Sequence, residues 1–229
     1  MEAPEPNPEL LKSLGHLVRG LSALFWGLPI ALIVCFHAAR ADTLRALGAL
    51  PPVLCNAWLL YALWQLGDFQ KQERVWHNAL DRARFLSFVL LGLSPFLYWW
   101  NKVPENTFFL AMVVLISFCG LVFLATLNLV LQRLGAMLPD EALRIEINQF
   151  TALNLNLLVA MLFVTALSFA LVNLPYDSLP AWLREARLIM DRASVWVLIP
   201  LLLLPLAMTM ALIWKTKEVI LDSVFNRHP

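Results

Sequence analysis

The sequence predicts an all-α protein, a polytopic transmembrane bundle of about six helical spans, and its composition is the first reason. The chain is 60% hydrophobic and only 14% charged, whereas soluble domains carry about 25% charged residues. The 17 basic and 16 acidic residues also avoid several long apolar stretches completely. Because charge is costly in hydrocarbon and a span needs roughly 20 apolar residues to cross about 30 Å, each such stretch is a candidate transmembrane helix.

Six candidate spans lie in the gaps between charged residues. They cover residues 20–39, 46–66, 85–100, 107–131, 150–174 and 194–214. A polar N-terminal segment, 1–19, precedes this bundle of residues 20–214, and a charged tail, 215–229, follows it. The first ten residues lack the charged region and the cleavage site of a secretory signal, so we expect the first span to be retained.

The third span is the shortest of the six, and an aromatic cluster of Tyr98, Trp99 and Trp100 closes it. Such clusters are typical of the level of the lipid headgroups, where they anchor a helix. The sequence leaves open whether spans three and four both cross the membrane or form a re-entrant hairpin. Six crossings are the favoured count, and five are the alternative.

The distribution of Lys and Arg predicts the orientation of the bundle. The connections on one side, together with both termini, carry 11 of these residues, and the connections on the other side carry 6. Since cytoplasmic loops are enriched in Lys and Arg, we expect a multi-pass protein with both termini in the cytoplasm. A compact chain without a targeting peptide favours a bacterial cytoplasmic membrane.

Two polar connections are predicted to be helical and to extend the bundle on the cytoplasmic side. In the segment 139–149, a proline followed by two acidic residues is typical of a helix start, and nothing interrupts the helix before the end of the fifth span. In the segment 68–84, polar residues recur at a spacing of four. The candidates for contacts with other proteins are Glu73, Arg74, His77, Asp140, Glu141 and Arg144.

The connection between spans five and six predicts one amphipathic helix. Its apolar and charged residues separate onto opposite helical faces between residues 177 and 192. Such a helix either lies flat at the outer membrane surface, with Trp182 as its anchor, or caps the bundle against other protein.

The six spans lack the groups that membrane enzymes and ion-coupled transporters use. None of the spans contains Asp, Glu, Lys or Arg, although such residues usually mark proton relays and ion paths. The chain has no HExxH metal motif, no GxSxG nucleophile motif and no phosphate-binding loop, and its three cysteines have no CxxC spacing. We therefore expect no catalytic residue, cofactor or metal, and the net charge of +1 argues against nucleic acid as a partner.

Amides are the most polar groups inside the spans. The candidates are Asn56, Asn128, Asn154 and Asn156. Asn128 and Asn154 each lie about four residues from the connection between spans four and five, so we expect them at equal depth in adjacent antiparallel helices. Because an unpartnered amide in hydrocarbon costs several kcal/mol, these side chains clamp helices together, line a hydrated solute path or contact another subunit. Prolines also interrupt the spans, at Pro29, Pro51, Pro52, Pro95, Pro200 and Pro205. We favour ordinary helix kinks over the broken helices that form transporter binding sites.

These observations favour a non-catalytic integral membrane subunit that forms a homo-oligomer or assembles with other membrane proteins. The second hypothesis is an oligomeric channel or small-solute transporter, with the asparagines along its polar path. The third is an intramembrane enzyme that modifies lipid, for which His37 and Asp42 are the polar candidates near the headgroups. The lipid bilayer is the partner that all three hypotheses share.

Overall fold

The computed structural model describes residues 8–41, 46–69, 73–138, 141–173, 180, 185 and 202–222. Within these ranges the regular structure is helical, and no described residue lies in a strand. In chain order the helices are α1 (Pro8–Arg40), α2 (Leu50–Leu66), α3 (Arg74–Leu93), α4 (Pro95–Lys102), α5 (Thr107–Met137), α6 (Glu141–Asn173) and α7 (202–222). The predicted amphipathic helix with Trp182, and the first part of the sixth span, lie outside the described residues.

Among the described residues, four helical stretches are long and apolar enough to cross a membrane. They are Lys12–Arg40, Arg74–Lys102, Thr107–Met137 and Arg144–Leu167. The shortest of them has 24 residues and extends about 36 Å at 1.5 Å per residue. The prediction that spans one, three, four and five are helices of membrane-crossing length is therefore confirmed. Helix α2 has 17 residues and extends about 26 Å.

The polar segments next to the spans are partly helical. Helix α1 begins at Pro8, so most of the polar N-terminal segment continues the first span. Helix α6 is continuous over 33 residues, so the polar connection and the fifth span form one helix of about 50 Å. In the segment 68–84 only the residues from Arg74 onward are helical. Helix α2 ends at Leu66, and a turn follows at Gly67. The predicted extension of α3 is therefore shorter than the sequence suggested.

The long helices bury stripes of side chains at alternating spacings of three and four residues. The stripe on α1 is Leu17, Leu21, Leu24, Leu28 and Ala31, and the stripe on α3 is Trp76, Leu80, Ala83, Ser87 and Leu90. This spacing is the pattern of left-handed helical bundles. The opposite faces carry exposed apolar side chains such as Trp58, Phe85 and Phe163, a surface that suits lipid rather than water.

Consecutive helices of the bundle pack side by side, and α7 contacts helices at both ends of this row. Helix α1 contacts α2, α2 contacts α3, α3 contacts α5, and α5 contacts α6. The ring of Phe25 on α1 lies 5.6 Å from the ring of Trp214 on α7, measured between centroids. Helix α7 also bonds to α5 and α6 through Thr209. Helix α7 therefore contacts both the first helix and the α5–α6 pair.

Two glycines bring α1 and α2 into close contact. A Cβ atom on Gly20 would lie 3.0 Å from the Ala62 carbonyl oxygen, and one on Gly27 would lie 2.9 Å from a methyl carbon of Leu59. Between them, Trp58 Nε1 donates to the Ala23 carbonyl at 3.2 Å. Small residues at helix interfaces allow this approach and are a common device of membrane bundles.

Helices α3 and α4 form the third candidate span, with a break at Ser94. The Ser94 hydroxyl donates to the Leu91 carbonyl at 2.8 Å, and Pro95 occupies the first turn of α4. Backbone N–H groups in the first turn form no hydrogen bond within their own helix, so a proline there costs no bond of α4. The Phe96 ring lies 5.9 Å from the Phe108 ring at the start of α5. Helix α4 thus reaches the level at which α5 begins, and the 29 residues from Arg74 to Lys102 suffice for a crossing.

The aromatic cluster at the end of α4 lies at the level where α1 ends. Asn101 Nδ2 donates to the Ala38 carbonyl at 3.3 Å and to the Ala41 carbonyl at 3.1 Å. Lys102 Nζ lies 4.9 Å from the Tyr98 ring centroid and 5.8 Å from that of Trp99, a cation–π geometry. Trp99 is exposed, while Tyr98 and Trp100 are half-buried.

Candidate functional site

The antiparallel register of α5 and α6 positions the buried polar site. Asn154 bonds to Asn128, and a Cβ atom on Gly135 would overlap the Ile147 side chain. On α5, Gly135 follows Asn128 by seven residues. On α6, which runs in the opposite direction, Ile147 precedes Asn154 by seven residues, so the two contact pairs have the same spacing on both helices. Seven residues are two turns of a packed helix, so both pairs lie on one helix–helix seam. The missing side chain at Gly135 admits Ile147 and fixes this register.

Three side chains with no exposed surface form the centre of the site: Asn128, Asn154 and Thr209. Asn154 Nδ2 donates to Asn128 Oδ1 and to Thr209 Oγ1, each at 3.0 Å. Asn128 Nδ2 donates to Thr209 Oγ1 at 2.9 Å and to the Leu124 carbonyl at 2.7 Å. The Thr209 hydroxyl donates to the Pro205 carbonyl at 2.8 Å. We call these three side chains and the Pro205 carbonyl the amide network; it joins α5, α6 and α7.

The acceptors around Asn154 fix the orientation of its amide. Nδ2 faces Asn128 Oδ1, Thr209 Oγ1 and, at 3.2 Å, the Pro205 carbonyl. In the reversed orientation the amide oxygen would face two oxygens that cannot donate. Asn154 Oδ1 therefore points away from the amide network, and it has no hydrogen-bond partner among the described residues. Thr151 Oγ1, one turn earlier on α6, is also buried and without a partner in that part of the chain.

A charged end of the bundle lies close to the amide network. The carboxylate of Glu146 on α6 accepts from the ammonium group of Lys215 on α7, and Gln132 Nε2 on α5 donates to Asn148 Oδ1 at 2.9 Å. Glu146 precedes Asn154 by eight residues, a helical rise of about 12 Å. The polar ends of three helices thus meet on one side, and the amide network lies about two turns inside.

The other two predicted asparagines lie elsewhere. Asn56 is buried between α1 and α2, where Nδ2 donates to the Pro52 carbonyl at 2.8 Å and to Cys35 Sγ at 3.8 Å. Asn156 is exposed. Two residues turn an α-helix by about 200°, so Asn156 faces away from the seam that contains Asn154. The structure therefore joins Asn128 and Asn154 and separates both from Asn56 and Asn156.

The predicted contact residues lie at helix starts. Glu73 precedes α3, Arg74 begins it and is exposed, and a ring nitrogen of His77 lies 3.2 Å from the Glu73 carbonyl oxygen. On α6, Arg144 forms an exposed ion pair with Glu141 at 3.1 Å. Asp140 lies outside the described residues. Of the polar candidates for lipid chemistry, His37 is exposed at the end of α1 and Asp42 lies outside the described residues.

Two residues with structural roles are not among those that the sequence predicts. Thr209 is central to the amide network, and its signal in the sequence is a hydroxyl four residues after a proline in an apolar run. Arg84 donates to the Leu63 carbonyl at 3.3 Å from both Nε and Nη2 and to the Trp64 carbonyl at 3.4 Å. These carbonyls belong to the last turn of α2, where a cation is favourable.

The chemistry of the amide network follows from its groups, which are all neutral donors and acceptors. They can fasten helices and can bind a small neutral molecule, but they include no general base and no activated nucleophile. Among the described residues, no group of three or more His, Cys, Asp or Glu is arranged to hold a metal ion. No protein-family model matches the chain, and comparisons with curated proteins and with solved structures give no match.

Proposed function

We propose that the chain is a non-catalytic membrane subunit, a helical bundle that assembles with itself or with other membrane proteins. The buried amide network is the observation that carries the non-catalytic, helix-fastening part of this proposal, and the exposed charged turns of α6 support the assembly part. Its three side chains have no exposed surface and direct their N–H and O–H groups to one another and to helix carbonyls. Side chains that lined a solute path would instead be exposed along it, so the arrangement is better suited to fastening helices.

The proposed topology has six crossings and both termini in the cytoplasm of a bacterial cell. Helix α2 is short for a span, but it contacts α1 and α3 along the bundle. Helix α7 would complete the sixth span, with Lys215 at the same end as Glu146. The excess of Lys and Arg on that side supports its cytoplasmic position.

The protruding part of α6 is the proposed contact surface. A helix of 33 residues extends about 50 Å and exceeds a hydrocarbon core of about 30 Å by roughly 20 Å. Its first turns expose Glu141 and Arg144. Charged side chains on a rigid helix outside the membrane would give a partner both orientation and specificity.

Extraction of native membranes in mild detergent, followed by native mass measurement, tests assembly. We expect the chain to be extracted as part of a complex. We expect the double variant Glu141→Arg, Arg144→Glu to be extracted without its partners. The matched control is Lys102→Glu at the other end of the bundle, which should leave the complex intact. A chain that stays monomeric in mild detergent, and gives no crosslinked partner in native membranes, would contradict the proposal.

A channel or small-solute transporter is the second candidate. It is favoured by the buried oxygens of Thr151 and Asn154, which have no hydrogen-bond partner within the described part of the chain. Such oxygens are groups that a solute or a row of waters can use. Flux into liposomes separates the two candidates. If Asn128→Leu changes flux through a folded protein, the path hypothesis is supported; if it lowers the unfolding temperature and wild-type liposomes show no flux, the amides act as a clamp.

A further inference from the structure

Two buried side chains of α6, three residues apart, each have an oxygen atom without a hydrogen-bond partner among the described residues. These atoms are Thr151 Oγ1 and Asn154 Oδ1, on side chains that are 1% and 0% exposed. Residues three apart on a helix are neighbours on one face, with Cβ atoms about 5–6 Å apart. A single small molecule between the two side chains can therefore bond to both.

We propose that an ordered water molecule bridges the Thr151 hydroxyl and the Asn154 amide oxygen. Asn154 Oδ1 only accepts, and the acceptors around Nδ2 hold it in that orientation, so the bound molecule must donate. The Thr151 hydroxyl can donate or accept. Two neutral oxygens are too few for a metal ion, and the buried position admits only a small molecule. Water meets each requirement, and buried waters usually satisfy polar groups of this kind.

A polar strip leads from the charged end of the bundle to the proposed water. Asn148 is exposed and bonds to Gln132 at 2.9 Å. Asn148, Thr151 and Asn154 follow one another at a spacing of three along α6. In this proposal, water enters from the charged end along these three residues. The water would fill the acceptor that the amide network leaves open and would tie that network to the charged end.

The direction in which one substitution shifts the unfolding temperature tests the proposal. Thr151→Val keeps the shape of the side chain and removes the hydroxyl. If the hydroxyl is merely unpaired, its removal relieves an unsatisfied buried group and raises the unfolding temperature. If the hydroxyl holds the water, the unfolding temperature falls, by about 2–4 °C for a loss near the strength of one hydrogen bond. The control is Thr216→Val, because that buried hydroxyl donates to the Leu212 carbonyl of its own helix at 2.7 Å.

Magnetisation transfer from water protons, measured by solid-state NMR on the unaltered protein in lipid bilayers, gives a second readout. We expect rapid transfer to Thr151 and Asn154, and slow transfer to Leu158, the next buried residue on the same face. The proposal is overturned if transfer to Thr151 and Asn154 is as slow as transfer to Leu158. It is equally overturned if Thr151→Val unfolds at the same temperature as the Thr216→Val control, or at a higher one.

Discussion

Replacement of Thr209 by valine tests the amide network directly, because valine has nearly the same shape and lacks the hydroxyl. Thr209 Oγ1 accepts from Asn128 Nδ2 at 2.9 Å and from Asn154 Nδ2 at 3.0 Å. Both bonds join different helices, and an interhelical hydrogen bond in a membrane contributes about 0.6 kcal/mol on average and about 1.7 kcal/mol at most. We therefore expect Thr209→Val to lower the free energy of unfolding by about 1–3 kcal/mol.

Unfolding of the purified chain in mild detergent, followed by the fluorescence of its nine tryptophans, measures this change. Thr216→Val is the control, since Thr216 donates to the Leu212 carbonyl within α7, and we expect it to cost less than about 0.5 kcal/mol. A double-mutant cycle of Thr209→Val with Asn128→Leu should show a coupling energy, because the two side chains share a bond. The reasoning is wrong if Thr209→Val costs no more than the control.

Three further substitutions test other contacts of the bundle. Gly20→Ala should destabilise the protein by about 1 kcal/mol, because its Cβ would meet the Ala62 carbonyl. The control Gly15→Ala, whose Cβ would meet nothing within 4 Å, should stabilise the protein by about 0.5–1 kcal/mol. Equal effects of the two substitutions on thermal unfolding would disprove the close contact. Arg84→Met should cost about 1–3 kcal/mol, because the Leu63 carbonyl at the end of α2 loses the Arg84 donors while the Trp64 carbonyl keeps the Gly67 N–H. A cost no larger than that of the exposed Arg82→Met would refute the capping role. Reversal of both charges, at Glu146 and at Lys215, should restore most of the stability that either single reversal loses. The double-mutant cycle should give a coupling energy of about 0.2–1 kcal/mol that disappears in 1 M salt. No coupling energy at low salt would show that the ion pair does not form.

The amide network and the glycine contacts have complementary roles in this bundle. Apolar side chains cannot drive helix association in lipid as they do in water, because lipid tails are equally apolar. Specific association must then come from close packing, as at Gly20 and Gly27, and from interhelical hydrogen bonds, as between Asn128 and Asn154. Both devices occur in both parts of the bundle. Between α1 and α2 the glycine contacts accompany the Trp58 hydrogen bond to the Ala23 carbonyl, and between α5 and α6 the contact at Gly135 accompanies the bond from Asn154 to Asn128.

Some properties of the candidate site could be predicted because they depend on distance along the chain. Asn128 and Asn154 lie equally far from the connection between their helices, and in an antiparallel pair this places them at one level. The structure joins them by a hydrogen bond of 3.0 Å. The partner Thr209 lies 55 residues after Asn154, on a helix whose neighbours the sequence leaves open. Contacts of such separation depend on how helices pack, and a single sequence carries little information about that.

The sequence by itself determined that this chain is helical and that several of its helices are long and apolar enough to cross a membrane, since both properties follow from composition summed over about 20 residues. Only the tertiary structure decided the direction in which each polar side chain points. Asn154 and Asn156 are almost neighbours in sequence, yet one is buried in the amide network and the other is exposed. The physical reason is that position along a helix fixes depth, whereas the packing of neighbouring helices fixes which face is buried.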